Sequence, residues 1–175
     1  VDRDGHSSQL RWLDSYDCHP VSIDVACTGP KTIQMAVEAG DRISFAVGSA
    51  PERLQWAIDT AEAHLKKINR PRNSIQLGAY INLVCDRDEK TALSLGKLIA
   101  GMVAHFAGLK HAPTDHLPPR LRAVAEHMQS QYDMERHAQE EGSHLALIDE
   151  AFVDWFSICG PPEKCIERLQ PLLDM

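Results

Sequence analysis

The sequence predicts an α/β fold in which parallel strands alternate with helices. Three observations carry this expectation. Val21–Ala26, Ile43–Val47 and Ile75–Cys85 place apolar residues at every second position, and each leads into a stretch with apolar residues at helical spacing. Those helical stretches, about 10 to 18 residues each, suit the crossover that joins one parallel strand to the next. The junctions hold residues that turn or stop a chain: Thr28-Gly29-Pro30, Gly40 and Pro71.

In chain order, Ser8–Tyr16 reads as the tail of a helix with Leu10 and Leu13 on one side. Pro20 then pushes His19 toward an extended conformation. In the first strand Val21, Ile23 and Val25 alternate with Ser22, Asp24 and Ala26, so one face is expected against helices and the other is smaller and more polar. Gly29 allows a sharp turn, and Pro30 suits a first helical position, where its missing N–H is not needed. The helix Lys31–Ala39 should bury Ile33, Ala36 and Val37, with Gly40 at its C-cap. Ile43–Val47 is the second strand.

Ser49-Ala50-Pro51-Glu52 then reads as a capping box, Ser49 capping and Glu52 reciprocating. Leu54, Ile58, Ala61, Leu65 and Ile68 form the buried stripe of the helix that follows, and Pro71 ends it. Ile75–Cys85 is expected to be the longest strand. A helix over 89–107 carries Leu95, Ile99, Met102 and Phe106; after a turn-rich linker, a second carries Leu121, Ala125, Met128 and Tyr132. Glu135–Ser143 is charged and expected to be exposed, and Phe152–Cys159 reads as a short strand or extended segment. Gly160-Pro161-Pro162-Glu163 opens a final helix with Ile166, Leu169 and Leu172 inward. The expected organisation is one domain over residues 1–175, with a helical insertion or linker over 108–150.

Bulk properties exclude several classes. The net charge is -7, with no basic stripe, so nucleic acid is not an expected partner. No apolar run approaches the roughly 20 residues that span a bilayer, so no membrane partner is expected. The five cysteines (Cys18, Cys27, Cys85, Cys159, Cys165) include no CxxC pair, which points to buried or half-buried free thiols and a reduced, cytoplasmic setting. His105, His111 and His116 with Asp115 cluster in sequence but at no zinc spacing, and no metal is expected. His127, His137 and His144 read as surface residues. Asp24, Tyr80 and Asn82 fall on the polar faces of their strands, where a structural role and a site role are both open. Neither GxGxxG nor GxxxxGK occurs. The amides of Thr28 and Gly29, beside a helix N-terminus, are a natural place for a phosphate.

The runs PVSIDVACTGPKTIQMAVEAGDRISFAVGSAPERLQWAI, INRPRNSIQLGAYINLVCDRDEKTA and CGPPEKCIERLQPLL occur in this order. Together they resemble the luciferase-like monooxygenase family, above all its branch that uses the deazaflavin coenzyme F420; FMN serves elsewhere in the family. The shared features are an A-[AS]-[SGT]-G-P-K turn, an A-D before the next strand, a P-E-R helix start and a late G-[TP]-P-E helix. The resemblance implies part of a TIM-type (β/α)8 barrel with its cofactor at the carboxyl ends of the strands. By position it makes Cys27, Thr28 and Gly29 a phosphate-binding turn, and Ala46, Val47 and Gly48 a second contact. Relatives often carry a hydroxyl side chain near Ala46, which this chain lacks.

A whole barrel needs about 250 residues. The chain is therefore expected to be the carboxyl-terminal part of an F420- or FMN-dependent oxidoreductase that transfers hydride, lacking the early units and incomplete as a catalyst by itself. No catalytic residue is transferred. The alternative is a non-catalytic half-barrel that self-associates or binds a partner chain. Either way exposed strand edges favour a homodimer or larger assembly.

Overall fold

The structure, a computed structural model, describes residues 21–107, 117–131 and 148–175, with 102–107 and 127–131 described for the backbone alone. The elements run β1 (Asp24–Cys27), α1 (Pro30–Ala39), β2 (Arg42–Phe45), α2 (Pro51–Lys67), a 3-10 turn (Arg72–Ser74), β3 (Gln76–Ala79), β4 (Leu83–Cys85), α3 (Glu89–Ala107), α4 (Pro119–Gln131), α5 (Glu150–Phe156), β5 (Ile158–Gly160) and α6 (Pro162–Leu173). All strand pairs are parallel: β1 with β2, β2 with β3, and β4 with β5. The expected helix tail at Ser8–Tyr16, Cys18, His111, Asp115, His116, Tyr132, Glu135–Ser143, His137 and His144 lie outside the described residues. So do the side chains of Met102, His105, Phe106, His127 and Met128.

Ile75–Cys85 is not one strand but two. Its first part pairs with β2, ending where Tyr80 N donates to Phe45 O (2.8 Å). Its second part serves β5, beginning where Ile158 N donates to Asn82 O (2.8 Å). The segment changes neighbours across Tyr80–Asn82, and the described strands remain an open set.

Two apolar cores flank these strands. The first joins α1, α2 and α6 through Ile33, Val37, Phe45, Val47, Leu54, Leu65 and Leu172. The second joins α3, α4 and α5 through Ala92, Ala100, Leu121, Phe152, Val153 and Phe156. Ile158 belongs to the first core and its neighbour Cys159 to the second, so β5 is covered on both faces. Alternation along a strand makes this unavoidable once helices lie on both sides.

Polar groups pin the helices. His64, buried in α2, lies 2.8 Å from Glu38 Oε1 of α1. Arg70 donates to Val37 O (2.6 Å) and Gly40 O (2.9 Å), satisfying carbonyls at the end of α1 that have no helical partner. Asp149 caps α5 by accepting from Phe152 N at 2.9 Å.

Several expectations are corrected. The cap of α2 is Ala50, not Ser49: Ser49 is buried and its Oγ donates to Trp155 O (3.3 Å), so no capping box forms. Phe152–Cys159 is mostly the helix α5, and only its last two residues enter β5. Val21 and Ile23 are 88% and 55% exposed: among the described residues β1 is the outer strand, and ordered pairing starts only at Asp24. Ile166 is 65% exposed, since α6 turns Cys165 inward instead. Leu95 and Cys85 are exposed, whereas Ile33, Ala36 and Val37 are buried as their spacing predicts.

Gly96 shows how closely α3 sits on β5. A Cβ there would lie 2.2 Å from Cys159 Sγ and 3.1 Å from Val153 Cγ1. Helix propensity favours Gly→Ala by about 1 kcal/mol, but overpacking costs about 1–3 kcal/mol, so the clash should win. Gly96→Ala is expected to lower the urea midpoint, and adding Cys159→Ala to recover part of the loss. A midpoint that rises in the single variant would show that α3 moves away freely.

Candidate functional site

The carboxyl ends of β1 and β2 lie side by side, because Cys27 pairs with Phe45 and Ala46 N donates to Cys27 O (2.7 Å). That places Cys27, Thr28 and Gly29 next to Ala46, Val47 and Gly48. Cys27 is fully buried, with its thiol directed at Val25 O (3.4 Å) and Thr32 O (3.5 Å). Burial, and then the nearby Asp24 charge, push its pKa from 9.0 to about 11. It therefore packs the turn as a neutral thiol and offers no nucleophile at neutral pH.

Thr28 and Gly29 are half-buried, and among the described residues neither backbone N–H donates to a carbonyl or side chain. They lead into the N-terminus of α1, whose first turn contains no acidic residue. Free amides at a helix start attract anions. Gly29 itself is extended (φ -137), so its conformational freedom is not used. Its significance is spatial: a Cβ added there meets nothing within 4 Å.

Val47 and Gly48 are held differently. The Val47 side chain is buried in the first core, and its carbonyl accepts from Arg53 Nε at 2.8 Å. Gly48 has φ +94, and its missing Cβ would stand 3.0 Å from Phe156 Cδ1. Here glycine is needed for both backbone and space. Arg53 is fully buried, with its guanidinium carbon 5.6 Å from the centroid of the Phe156 ring. Burial lowers its pKa from the ordinary guanidinium range to about 10, which leaves it cationic at neutral pH.

Sequence reasoning missed α5 as a wall beside these strand ends, with Arg53 and Phe156 joined behind it. One signal was available: Arg53, Ala57, Ala61 and Leu65 share a helical face whose other members are plainly apolar.

The polar face of β1–β3 is more open. Ser44 Oγ donates to Asp24 Oδ2 (2.8 Å), Arg42 Nε lies 3.7 Å from the same oxygen, and Arg42 extends over Gly78. Asp24 is thus a hydrogen-bonded carboxylate. Asn82 Nδ2 donates to Phe156 O (3.4 Å), while Tyr80 is exposed. Among the described residues no group of His, Cys, Asp and Glu is arranged to hold a metal, and no helix is long and apolar enough to cross a membrane.

The luciferase-like monooxygenase family matches residues 5–174 of the chain. The chain belongs to that family. Two curated 5,10-methylenetetrahydromethanopterin reductases are similar to this luciferase-like chain. The one from Methanolobus tindarius is 24% identical over 156 residues, covering 89% of this chain and 45% of the relative. The one from Archaeoglobus fulgidus is 23% identical over 158 residues, covering 87% and 45%. Among solved structures, the coenzyme F420 dependent tetrahydromethanopterin reductase from Methanopyrus kandleri aligns with a TM-score of 0.59 and 20% identity, over 88% of this chain and 42% of that one. An F420-dependent secondary alcohol dehydrogenase in complex with an F420-acetone adduct aligns with a TM-score of 0.56 and 16% identity, over 89% and 41%. The luciferase-like chain thus spans less than half the length of each relative, and its open parallel set is part of a TIM-type barrel.

Two outcomes are expected from these geometries. Gly48→Ala should lower thermal stability by about 1–3 kcal/mol, because a left-handed backbone and a packed ring both oppose the methyl, whereas Gly29→Ala should unfold with the wild type. Equal melting of the two would remove the distinction. The second outcome concerns pH. The unfolded Cys27 loses its proton near 9 and the folded one near 11, so stability should fall as pH rises through that window. Cys27→Ala should lose this component when urea midpoints are compared across it.

Proposed function

We propose that this chain is the cofactor-binding part of a luciferase-like oxidoreductase that uses coenzyme F420, with FMN as the alternative cofactor. The observation that carries the reading is the turn at Thr28-Gly29: two backbone N–H groups without partners among the described residues, a helix N-terminus behind them and no described atom within 4 Å of where a Cβ would stand on Gly29. The two solved relatives, both F420-dependent, favour the deazaflavin.

These residues fit an anionic group of the cofactor. Thr28 and Gly29 would hold its phosphate through their amides, aided by the positive end of the α1 dipole. Pro30 fixes the first helical φ, so the amides are oriented before the ligand arrives. Cys27 fills the space beneath the turn as a neutral thiol. Ala46, Val47 and Gly48 form the second contact, Ala46 with a small side chain and Gly48 with none. When bound, the deazaflavin supplies the ring carbon that gives or takes a hydride.

By itself the chain holds the cofactor without completing hydride transfer, and no residue is assigned a catalytic role. It acts as one domain over residues 1–175, with 108–150 as a helical insertion, in a cytoplasmic homodimer or larger assembly that binds neither nucleic acid nor membrane. A second reading, a non-catalytic half-barrel that associates with itself or a partner, draws on the exposure of Val21 and Ile23 beside the outer strand.

Titration of the purified chain with F420, and separately with FMN, is expected to give saturable binding that Gly29→Val abolishes while the circular dichroism spectrum stays unchanged. Absence of binding to both cofactors would reject the cofactor reading and favour the assembly one. Binding that survives Gly29→Val would place the phosphate elsewhere.

A further inference from the structure

We infer that Arg53 is a positioning residue: from the first turn of α2 it engages the Val47 carbonyl and the Phe156 ring together, and so locks the carboxyl end of β2 to α5. This rests on the reading of that strand end as part of the cofactor site. Arg53 is the largest fully buried side chain among the described residues. Arginine is among the costliest side chains to bury. A side chain needed only to fill that space would be apolar, like its helical neighbours Leu54 and Ala57. What the guanidinium adds is a directed N–H and a cation. The N–H reaches Val47 O at 2.8 Å, and the cation lies 5.6 Å from the Phe156 centroid.

The ring that Arg53 faces is a meeting point. Gly48 packs on it with no room for a Cβ, and Asn82 Nδ2 donates to the Phe156 carbonyl at 3.4 Å. Ser49 Oγ donates to the preceding carbonyl, that of Trp155, at 3.3 Å. Contacts from α2, from the loop after β2 and from the bend between β3 and β4 therefore end on two adjacent residues of α5. With Val47 O engaged from behind and Gly48 against the ring, residues 47–49 have one backbone arrangement to offer a ligand. Removing the guanidinium frees the Val47 carbonyl and leaves Gly48 able to rotate.

The test compares Arg53→Met, Arg53→Lys and Phe156→Leu with the wild type. Two quantities are read: amide hydrogen exchange at Gly48 and Ser49, referenced to Val37 in α1, and F420 affinity. Loss of a hydrogen bond from a charged donor should raise the referenced exchange in Arg53→Met by at least about tenfold and weaken F420 binding by a similar factor. Arg53→Lys, which keeps a cation and an N–H donor, should recover most of both. Phe156→Leu should raise the exchange at Gly48 with the arginine still present. Unchanged referenced exchange in Arg53→Met would overturn the inference, and so would raised exchange with F420 affinity intact. If Arg53→Met does not fold, Arg53→Lys against Phe156→Leu carries the same comparison. A wild-type chain that binds neither cofactor would end the functional reading alone, and exchange would still decide whether Arg53 fixes the strand end.

Discussion

Backbone N–H and C=O groups along a strand are strong, obligatory hydrogen-bonding groups, and for Gln76–Cys85 no single described strand serves them all. Its first part is satisfied by β2 and its second by β5, with the change at Tyr80–Asn82. The consequence spreads outward. β5 starts opposite Leu83, beyond the last residue paired with β2, so it enters the fold about where β2 runs out. The helix that delivers β5 must then pass the end of β2, and α5 lies against Gly48 and Ser49 for that reason. A wall beside the candidate site is thus produced by backbone pairing some distance from it.

The same handover divides the burial. β5 has helices on both sides and sends successive residues into different cores, whereas β4 beside it turns Val84 toward the second core and leaves Leu83 and Cys85 exposed. Among the described residues, helices cover β1–β3 on one side, and the other face holds Asp24, Arg42 and the buried Ser44, tied to one another. An ion pair that exposed adds little stability. Its geometric effect is to hold Arg42 over Gly78, where no side chain competes. Less exposed polar groups are used differently. The buried His64 and the half-buried Arg70 each join separate segments, and removing Arg70 would leave the Val37 carbonyl without its partner.

Much of this was legible in the residues. α1 was readable to its buried stripe, because proline, glycine and a 3.6-residue period all agree there. The nearness of Cys27–Gly29 to Ala46–Gly48 also followed, since a strand–helix–strand unit returns the second strand beside the first. Ile75–Cys85 misled because alternation reports the pleat and is silent about which neighbour each half pairs with. Phe152–Cys159 misled because α5, at seven residues, is too short to show a helical period, and its aromatic and β-branched content suits strands. The signal that outweighed these was Asp149 with Glu150, a cap and an acidic first turn. The Arg53–Phe156 contact was out of reach. Local pattern marks each as a member of its helix, and only the tertiary fold brings them together.

The glycines that flank α1 and β2 answer to different constraints. Gly40 has no space for a side chain, since a Cβ would lie 2.9 Å from Ala36 O. Gly48 needs both its backbone conformation and its space. Gly29 needs neither: its φ is ordinary and no described atom stands within 4 Å of where a Cβ would be. Folding therefore exerts selection on Gly40 and Gly48 but leaves Gly29 free to drift. On the proposed cofactor reading, a lineage that no longer required an anion at this turn would lose Gly29 first and keep the other two, so a comparison of the three positions across descendants would date the loss of that function separately from any loss of structure.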